Sequence, residues 1–333
     1  MVGNPDFTTV ASATIAKYRR KLVDNLIGQQ ALFWQLEKRG LVREDKGGNS
    51  IVEPILYGDN STVSSYAGYD LLDNTPQTGI TSSKYLWKYV AGSVVISGQE
   101  EFENSGSKEQ IFNLLKGKIR QLETSMKKDL NEQLYADGTG NGGKDITGLA
   151  LAVEEGSSWS TYGGIPSATA GNEWWRNQFL DFDGTYTSFG TTSGTSVEGL
   201  DALRSMRNLC TRGHGFSPSL IISGLDTYEA YEAYIEGKQL RTHSTSMADA
   251  GFRNVEFGTI PWIYDEDMQS DELLMLNADT MGLVVGRGRN MTQTPFQRPD
   301  NQDAKVCQVL WAGNLVTSRR DTHGRMTDIV ISA

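Results

Sequence analysis

The chain has 333 residues, of which 38% are hydrophobic and 22% charged, and its formal net charge at pH 7 is −10. This composition excludes an intrinsically disordered chain and a small disulfide-stapled scaffold, because it allows a sizeable buried core. The acidic balance also disfavours tight binding of a polyanion such as DNA by the whole surface.

The amino terminus and the cysteines suggest the compartment. Met1 to Val10 lacks the basic start and apolar run of a signal peptide, and no stretch of about 18 apolar residues occurs. We therefore expect a protein that is made and stays in a cytoplasm-like compartment, without a membrane partner. Cys210 and Cys307 are far apart and form no CxxC pair, which favours buried, inert thiols over a disulfide framework or a zinc cluster.

The first predicted element is an amphipathic helix from about Thr9 to Arg39, ended by Gly40. Its apolar residues recur three or four positions apart and need to be covered by something. Its basic stretch is either a solvated helix face or a face turned toward nucleic acid or a partner; it comprises Lys17, Arg19, Arg20 and Lys21.

Two β-prone stretches follow, Ile51 to Tyr57 and Tyr85 to Ser97, and the segment between them is polar. Pro54 would confine the first stretch to an edge or a bulge. Together they predict a long two-stranded hairpin with an extended tip. Because an isolated ribbon is marginally stable and has unpaired edges, we expect a neighbouring subunit to cover it; the alternative is that it folds back on its own domain. The candidate contact residues, from the arm and the hairpin, are Phe33, Trp34, Tyr66, Tyr69, Leu71, Leu72, Trp87 and Tyr89.

The strongest helical pattern runs from Ser107 to Ala136, with apolar residues at a 3.6-residue period on one side. At 1.5 Å per residue it would be a rod about 45 Å long. Ser107 and Gln110 can form a capping box, and Gly138 closes the end. The remaining sides are largely basic or polar, which predicts a spine lying across a sheet, with Leu122 facing that sheet.

The second half predicts aromatic-rich ordered loops over residues 137 to 196, then a small α/β subdomain beginning near residue 195. Its predicted elements are a helix from Val197 to Arg212, a strand from Leu220 to Ser223 and a helix from Leu225 to Ile235. From Val255 onward the pattern is mostly that of strands: Ile260 to Tyr264, Leu273 to Leu276, Gly282 to Val285, Val306 to Val316 and Met326 to Ile331.

Motifs for chemistry are weak. Gly138, Gly140 and Gly143 match GxGxxG, but they follow a long helix and precede a loop, the reverse of a dinucleotide site. The same turn begins like a calcium loop, yet Gly148 stands where the bidentate Glu belongs. We therefore predict no cofactor and no metal.

The titratable residues give no catalytic pattern either. His214, His243 and His323 lie in separate segments without zinc spacing, and no nucleophile motif is present. The paired acids are expected to be solvated loops, although acid–base work is conceivable for them; they are Asp181 with Asp183, and Asp265, Glu266 and Asp267. We therefore predict no catalytic residues and no enzyme.

The order of the predicted parts resembles that of tailed-bacteriophage major capsid (coat) proteins of the Hong Kong 97-like fold. Particular stretches are similar to that family as well: Tyr162-Gly-Gly-Ile165 followed by Trp174-Trp-Arg-Asn177, Phe257-Gly-Thr-Ile-Pro261, and Leu273-Leu-Met-Leu-Asn277. The resemblance covers nearly the whole chain, although its motifs are loose and carry no chemistry of their own.

The resemblance implies an α+β fold with an amino-terminal helical arm, a long β-hairpin extended loop, a spine helix on a peripheral β-sheet and an α/β axial domain. The implied boundaries are 1–45 for the arm, 46–98 for the extended loop, 99–194 and 271–333 for the peripheral domain with spine helix 107–136, and 195–270 for the axial domain. No long scaffolding-like segment precedes the arm, which implies a separate scaffolding protein or prior trimming.

The implied function is self-assembly into hexamers and pentamers of an icosahedral head shell that encloses double-stranded DNA without reading its sequence. The implied location is the virion, after synthesis in the bacterial cytoplasm, and the implied partners are a scaffolding protein, a portal and, as an option, a decoration protein. An encapsulin-like nanocompartment shell is the alternative, and a hydrolytic enzyme is the remote one.

Overall fold

The protein is described from a computed structural model, which covers residues 31–103, 108–156, 159–182, 189, 192–193, 196–213, 215–236 and 255–330. For residues 31, 108–115, 192–193 and 196–197 only the backbone is described. The predicted arm before residue 31, with its basic stretch, lies outside this part, as do His214, His243 and Asp183.

Helices and strands alternate irregularly along the chain. The helices are α1 (Ala31–Lys38), α2 (Gly98–Glu103), α3 (Lys108–Tyr135), α4 (Gly140–Gly143), α5 (Leu149–Ala152), α6 (Glu198–Cys210) and α7 (Leu225–Glu236), with 3-10 turns at Glu173–Trp175 and Ala278–Thr280. The strands of the first half are β1 (Val42–Asp45), β2 (Ile51–Leu56), β3 (Ile80–Tyr85), β4 (Lys88–Ser97), β5 (Thr161–Tyr162), β6 (Ile165–Pro166), β7 (Gln178–Asp181), β8 (Thr192–Ser193) and β9 (Ser196–Val197). Those of the second half are β10 (Leu220–Ser223), β11 (Val255–Phe257), β12 (Ile260–Tyr264), β13 (Leu273–Leu276), β14 (Met281–Gly286), β15 (Thr292–Gln293), β16 (Ala304–Thr317) and β17 (Gly324–Thr327).

One compact unit contains the described residues 90–103, 108–129 and 291–311. In it, β15 pairs antiparallel with the first half of β16, and the sheet also includes β4. Helix α3 lies over β4, because a Cβ on Gly92 would meet the side chains of Leu122 and Met126. Lys118 of α3 pairs with Glu100 of α2 at 2.9 Å. This is the predicted spine on a sheet, with Leu122 facing the sheet.

The second unit contains the described residues 31–89, 130–290 and 312–330. Its largest sheet has six strands in the order β11, β12, β10, β13, β17, β7. Strand β10 is parallel to β12 and antiparallel to β13, and all four of its side chains are buried. Helix α6 contributes Leu203 and Met206 to a core that also contains Trp262 and Met275. A helix on a mixed sheet is thus the core of this unit.

The same unit contains a smaller strand group and the hairpin. Strand β1 runs parallel to β14, which is antiparallel to the second half of β16. Strands β2 and β3 form a separate two-stranded antiparallel sheet. Pro54 lies in β2 opposite Ser82, and a strand of a two-stranded ribbon is the edge position predicted for this proline.

Most predicted elements are confirmed. The spine helix is α3, and the predicted strand at Leu220 to Ser223 is β10 with the same bounds. The predicted strand from Tyr85 to Ser97 was wrong in one respect: the hairpin partner of β2 is β3, which ends at Tyr85, and β4 is a separate strand. Polar residues fill β3, so its own sequence does not mark it as a strand.

The stretch Phe257-Gly-Thr-Ile-Pro261 is the tight turn between β11 and β12. Phe257 pairs with Ile260, which leaves a two-residue loop in which Gly258 and Thr259 have φ values of 56° and 76°. Two positive φ values are what a turn of this length requires when it follows the twist of antiparallel strands. A β-branched residue at such a φ is strained, so Thr259 stores local strain at an exposed turn.

Candidate assembly surface on the extended hairpin

The root of the hairpin lies against the turn between β5 and β6. Gly163 and Gly164 form this turn with φ values of 58° and 75°. The N–H of Lys84 donates to the Gly163 carbonyl at 2.8 Å. A Cβ on Gly163 would lie 2.8 Å from Cβ of Ser83 and 3.0 Å from the Tyr85 hydroxyl, whereas Gly164 has open space around it. Glycine at 163 is therefore required by both the turn and the approach of β3.

An aromatic cluster continues below this turn. The Tyr85 and Tyr162 rings meet edge to face at 5.2 Å, and the Tyr162 and Trp175 rings stack at 6.3 Å. The Trp175 indole N–H donates to the Tyr162 carbonyl at 3.0 Å, and the Tyr85 hydroxyl donates to the Thr317 carbonyl at 2.8 Å. Burial raises the pKa of Tyr85, so the hydroxyl stays protonated as a donor. The cluster joins the hairpin, the aromatic loops and β16.

Beneath the cluster lies Arg320, which is completely buried. All five of its N–H donors have acceptors at 2.8 to 3.1 Å: the carbonyls of Leu151, Ala152 and Trp175, the Ser167 hydroxyl and the Glu154 carboxylate. Asn177 holds the backbone of Glu154: its amide oxygen accepts from the Glu154 N–H, and its amide nitrogen donates to the Glu154 carbonyl. This network explains the Trp174-Trp-Arg-Asn177 stretch, whose second and fourth residues are structural.

Trp174, the first residue of that stretch, packs against Tyr57 at the start of the extended loop. The Trp174 and Tyr57 rings stack at 4.9 Å with an angle of 19° between their planes. Tyr57 follows the last residue of β2, and its hydroxyl donates to the Thr78 carbonyl across the hairpin at 3.2 Å. The stack is therefore an aromatic contact that supports the start of the extended loop.

Beyond Tyr57 the loop has no strand or helix up to residue 79 and is almost entirely exposed. Tyr69 and Leu71 reach 104% and 100% exposure, and Tyr66 and Leu72 are exposed too. Local side-chain bonds shape it: Asp70 accepts from the N–H of Ala67, and Asp73 accepts from Thr75. The tip thus has turns of its own but no core.

The outer face of the hairpin carries a second set of exposed apolar side chains. Leu56 and Ile80 are directly opposite each other and 78% and 77% exposed, and Val52 lies on the same face. Covering either of the opposed pair fully would contribute about 1.5–3 kcal/mol. Sequence reasoning missed this face, because the alternation of β2 is interrupted by Pro54 and β3 is polar.

The remaining candidate contact residues differ from one another in their exposure to solvent. Tyr89 is 67% exposed on β4, whereas Phe33, Trp34 and Trp87 are half-buried. Trp34 lies under the ammonium group of Lys38 at 4.5 Å, and the Trp87 ring lies beside Gly286. These three side chains thus have contacts within the chain as well as exposed surface.

Helix α1 is held by a buried polar cluster. The carboxylate of Asp265 accepts from the N–H of Leu32 at 3.0 Å and from the Asn131 side chain at 3.1 Å. The Asn131 amide oxygen accepts from the N–H of Phe33, and its nitrogen donates to Asp267. Burial raises the pKa of Asp265. The expectation of a solvated acidic loop was wrong for Asp265, because this residue is buried and accepts from the N–H of Leu32 in the first turn of α1.

Residues suggested by chemical motifs are structural where they are described. Two of the GxGxxG glycines, Gly140 and Gly143, are the ends of the short kinked helix α4 after the spine, and Gly138 precedes it at a φ of 82°. His323 is buried: its Nδ1 accepts from the Asn277 N–H, and Nε2 lies 3.1 Å from the Thr280 hydroxyl. Both cysteines are buried and unpaired, and burial raises the pKa of Cys210 to about 12.

Neither a metal-binding cluster nor a membrane-spanning helix is found in the described part of the chain. No group of three or more His, Cys, Asp or Glu side chains there could hold a metal ion. No helix among the described residues is long and apolar enough to cross a bilayer.

Comparison with known proteins gives a result at the level of structure. No protein-family model and no curated protein sequence matches the chain. The capsid protein in the asymmetric unit of cyanophage A-1(L) aligns with a TM-score of 0.68 over 94% of this chain and 96% of that chain, at 17% identity. The chain has the Hong Kong 97-like capsid fold.

Two further solved structures align over almost the whole chain. The capsid of a native GTA particle aligns with a TM-score of 0.60 at 12% identity, over 95% of both chains. The holo-SrpI encapsulin complex from Synechococcus elongatus PCC 7942 aligns with a TM-score of 0.58 at 12% identity, over 97% of this chain and 96% of that chain. These identities are low, so the likeness is one of capsid fold.

Proposed function

We propose that this chain is the major capsid protein of a tailed bacteriophage, which assembles with copies of itself into the icosahedral head shell around double-stranded DNA. The observation that carries the proposal is the full-length match to a phage capsid protein, over 94% of this chain. The exposed hairpin adds an independent physical reason, because the described part of its own chain leaves its tip without cover.

In this proposal the extended loop, residues 46–98, lies on a neighbouring subunit. Tyr66, Tyr69, Leu71 and Leu72 at the tip and Tyr89 on β4 supply apolar contact area, and Phe33, Trp34 and Trp87 add the exposed parts of their rings. The same contact repeated head to tail around an axis closes a ring, which is how hexamers and pentamers form from one heterologous surface. Each buried leucine would contribute about 1.5–3 kcal/mol to that contact.

The other segments have corresponding proposed roles. Residues 1–45 are the arm, 99–194 with 271–333 the peripheral domain and 195–270 the axial domain. The net charge of −10 suits a container whose DNA must enter and leave, since a strongly basic interior would retain it. The proposed partners are a scaffolding protein and a portal during assembly, and a decoration protein on the finished shell.

The proposed place of action follows from this role. The chain would be made in the bacterial cytoplasm, act in the virion and have no catalytic activity.

A second candidate is an encapsulin-like nanocompartment shell, favoured by the match to the SrpI encapsulin. The two candidates differ in contents. Shells purified from the native source would contain double-stranded DNA in the first case and a protein cargo in the second. Nuclease-protected DNA of a phage genome inside the shells would support the phage capsid. A stoichiometric enzyme in place of that DNA would support the nanocompartment.

The first test is expression of the chain, alone and with the scaffolding protein encoded beside it, followed by gel filtration and negative-stain microscopy. Shells of megadalton mass are expected in at least one condition. A monomer in both conditions would contradict the proposal.

A deletion tests the role of the hairpin. Removing residues 60–82 takes away the exposed tip and half of β3, so the subunit should remain soluble and folded, as judged by circular dichroism, and fail to form stable shells. Normal particles from this deletion would show that the hairpin is dispensable.

A further inference from the structure

The turn after the spine helix contains the one Asn-Gly pair of the sequence, Asn141 and Gly142. Both residues are exposed and lie in the short helix α4, where their φ values are 51° and 70°. A Cβ on Gly142 would meet no atom within 4 Å, so no neighbouring group crowds this glycine. The pair is therefore in contact with solvent water, and the glycine has no side chain to shield its backbone nitrogen.

An asparagine that precedes a glycine can react with its own backbone. The Gly142 nitrogen attacks Cγ of the Asn141 side chain, a new C–N bond closes a succinimide ring, and the Cγ–Nδ2 bond breaks. The Gly142 amide proton leaves with Nδ2 as ammonia. A water molecule then opens the ring at either carbonyl, which leaves aspartate or isoaspartate at position 141. Because both reacting groups belong to one short segment, their encounter costs little entropy.

We propose that Asn141 is a deamidation site of this protein, with water as the co-reactant and the opening of α4 as its gate. This inference does not depend on the proposed shell function. The closed turn blocks the reaction, because at a ψ of 36° an L residue has the next backbone nitrogen on the far side of its Cα–C bond from Cβ. The ring can close only after this bond rotates, which breaks the turn.

The turn is held closed by exposed hydrogen bonds. The N–H of Gly143 donates to the Thr139 carbonyl at 3.0 Å, and the N–H of Lys144 donates to the Gly140 carbonyl at 3.2 Å. The Lys88 ammonium group donates to the Gly143 carbonyl from outside the helix. None of the residues of α4 is buried. A short exposed segment of this kind opens at low free energy, so the reactive conformation is accessible from the folded subunit.

Two other asparagines show what the reaction requires. Asn131 is fully buried and donates to the Asp265 carboxylate, so water and backbone rotation are both excluded there. Asn60 in the hairpin tip is exposed, but Ser61 follows it, and the Cβ of a serine hinders the approach of the backbone nitrogen. We therefore expect conversion at Asn141 well before either of them.

The product differs from asparagine in charge and in backbone length. Either product adds one negative charge near Asp145, whose carboxylate lies against Gly140. Isoaspartate also inserts one methylene into the backbone, so the hydrogen bonds of α4 cannot re-form with the same spacing. Deamidation therefore converts a turn that opens briefly into one that stays open.

Peptide mass mapping of the full chain tests the site. The folded subunit is incubated in mildly alkaline buffer, which favours loss of the Gly142 amide proton, and samples are digested with trypsin over time. Cleavage after Lys128 and Lys144 gives one peptide that contains both Asn131 and Asn141, so the buried asparagine is an internal control. The mass gain from replacing NH2 by OH should appear at Asn141, in two separable products of equal mass. Conversion at Asn141 no faster than at Asn131 overturns the proposal.

A matched pair of alanine variants tests the ring closure. Gly142→Ala and Gly143→Ala enter the same open space at φ values of 70° and 79°, so they strain the turn alike. Only Gly142→Ala places a Cβ beside the attacking nitrogen, so conversion at Asn141 should be slower by about tenfold or more than in Gly143→Ala. Equal rates in the two variants would rule out the succinimide route.

A lysine substitution tests the gate. Lys88→Met removes the bond to the Gly143 carbonyl, so the open turn should be more populated and conversion at Asn141 faster by about fivefold. Lys46→Met, at an exposed lysine elsewhere, is the control and should convert at the rate of the wild type. The chain unfolded in urea gives the rate of the open turn.

The results for the gate are read against folding. Each variant is incubated well below its own melting temperature, so the rates compare folded subunits. A wild-type rate below the urea rate, with a faster Lys88→Met, supports the gate. A wild-type rate equal to the urea rate, or an unchanged rate in Lys88→Met, contradicts it.

Discussion

The root and the tip of the hairpin use similar residues in opposite ways. At the root, Tyr85, Tyr162 and Trp175 are buried, and the side chains of Tyr85 and Trp175 donate hydrogen bonds to backbone carbonyls, whereas at the tip Tyr69 and Leu71 are fully exposed. The root is complete within one chain and the tip is not. Adjacent segments of one hairpin can thus determine subunit stability and shell assembly separately. Substitutions at the root should lower stability, and substitutions at the tip should lower the yield of shells.

The largest expected loss of stability is at the buried centre of the root. Arg320→Met removes the donors to five acceptors and leaves the Glu154 carboxylate buried without its cation, which should lower the free energy of unfolding by about 3–5 kcal/mol. Urea denaturation of the subunit measures it. Arg298→Met, which breaks an exposed pair with Asp303, is the control and should cost less than about 1 kcal/mol. Equal losses of unfolding free energy in the two variants would mean that the burial of Arg320 does not increase its contribution to stability.

The turn that supports the hairpin gives a matched pair of glycines. Gly163→Ala adds a Cβ against Ser83 and Tyr85 at a positive φ, which should cost about 2–4 kcal/mol. Gly164→Ala has a similar φ but open space, so only the backbone strain of about 1 kcal/mol applies. Denaturant midpoints of the two variants test the difference. If Gly164→Ala proves as costly as Gly163→Ala, the close approach of β3 to the turn is not important.

The buried histidine near the root makes stability depend on pH. Burial, with the positive charge of Arg320, lowers the pKa of His323 from 6.5 to about 3. Between these values the unfolded chain binds the extra proton, so the free energy of unfolding falls as the pH drops, by about 1.4 kcal/mol per pH unit. At pH 5 this loss is about 2 kcal/mol.

Comparison with a variant isolates this residue. Burial raises the pKa of Asp265 and of Glu272, which therefore act in the opposite direction, but both are present in the wild type and in His323→Gln. The stability difference between the two proteins should therefore shrink or reverse as the pH falls from 7 to 4. A constant difference across this range would contradict the low pKa of His323.

The sequence was a good guide where the pattern is regular and local. The spine was predictable because its apolar residues repeat over many turns, and β10 and β13 because they are short apolar runs that are fully buried. The exposed tip was predictable as well, since aromatic residues lie there between turn-forming ones. A single sequence contains the spacing that determines these elements.

What could not be predicted depends on distant partners. Strand β3 is polar and exists because β2 pairs with it and Gly163 receives its N–H. Asp265 is buried because Asn131 and the N–H of Leu32 meet it from 134 and 233 residues away in sequence. No spacing rule signals such contacts. The outer face of the hairpin was missed for the same reason, since it needs the register of both strands.

The smallest expected effect on the subunit comes from the tip, where assembly should respond most. Tyr69→Ser combined with Leu71→Ser changes side chains that are fully exposed on the described part of the chain, so the free energy of unfolding should change by less than about 0.5 kcal/mol. In the proposed shell the same change removes apolar area that would be buried at each tip, and the yield of shells should fall. Denaturation of the subunit and negative-stain counts of shells measure the two effects on one preparation. A subunit that loses stability would mean that the tip packs on its own domain, and normal shells from a normally stable subunit would mean that these two side chains do not meet a neighbour.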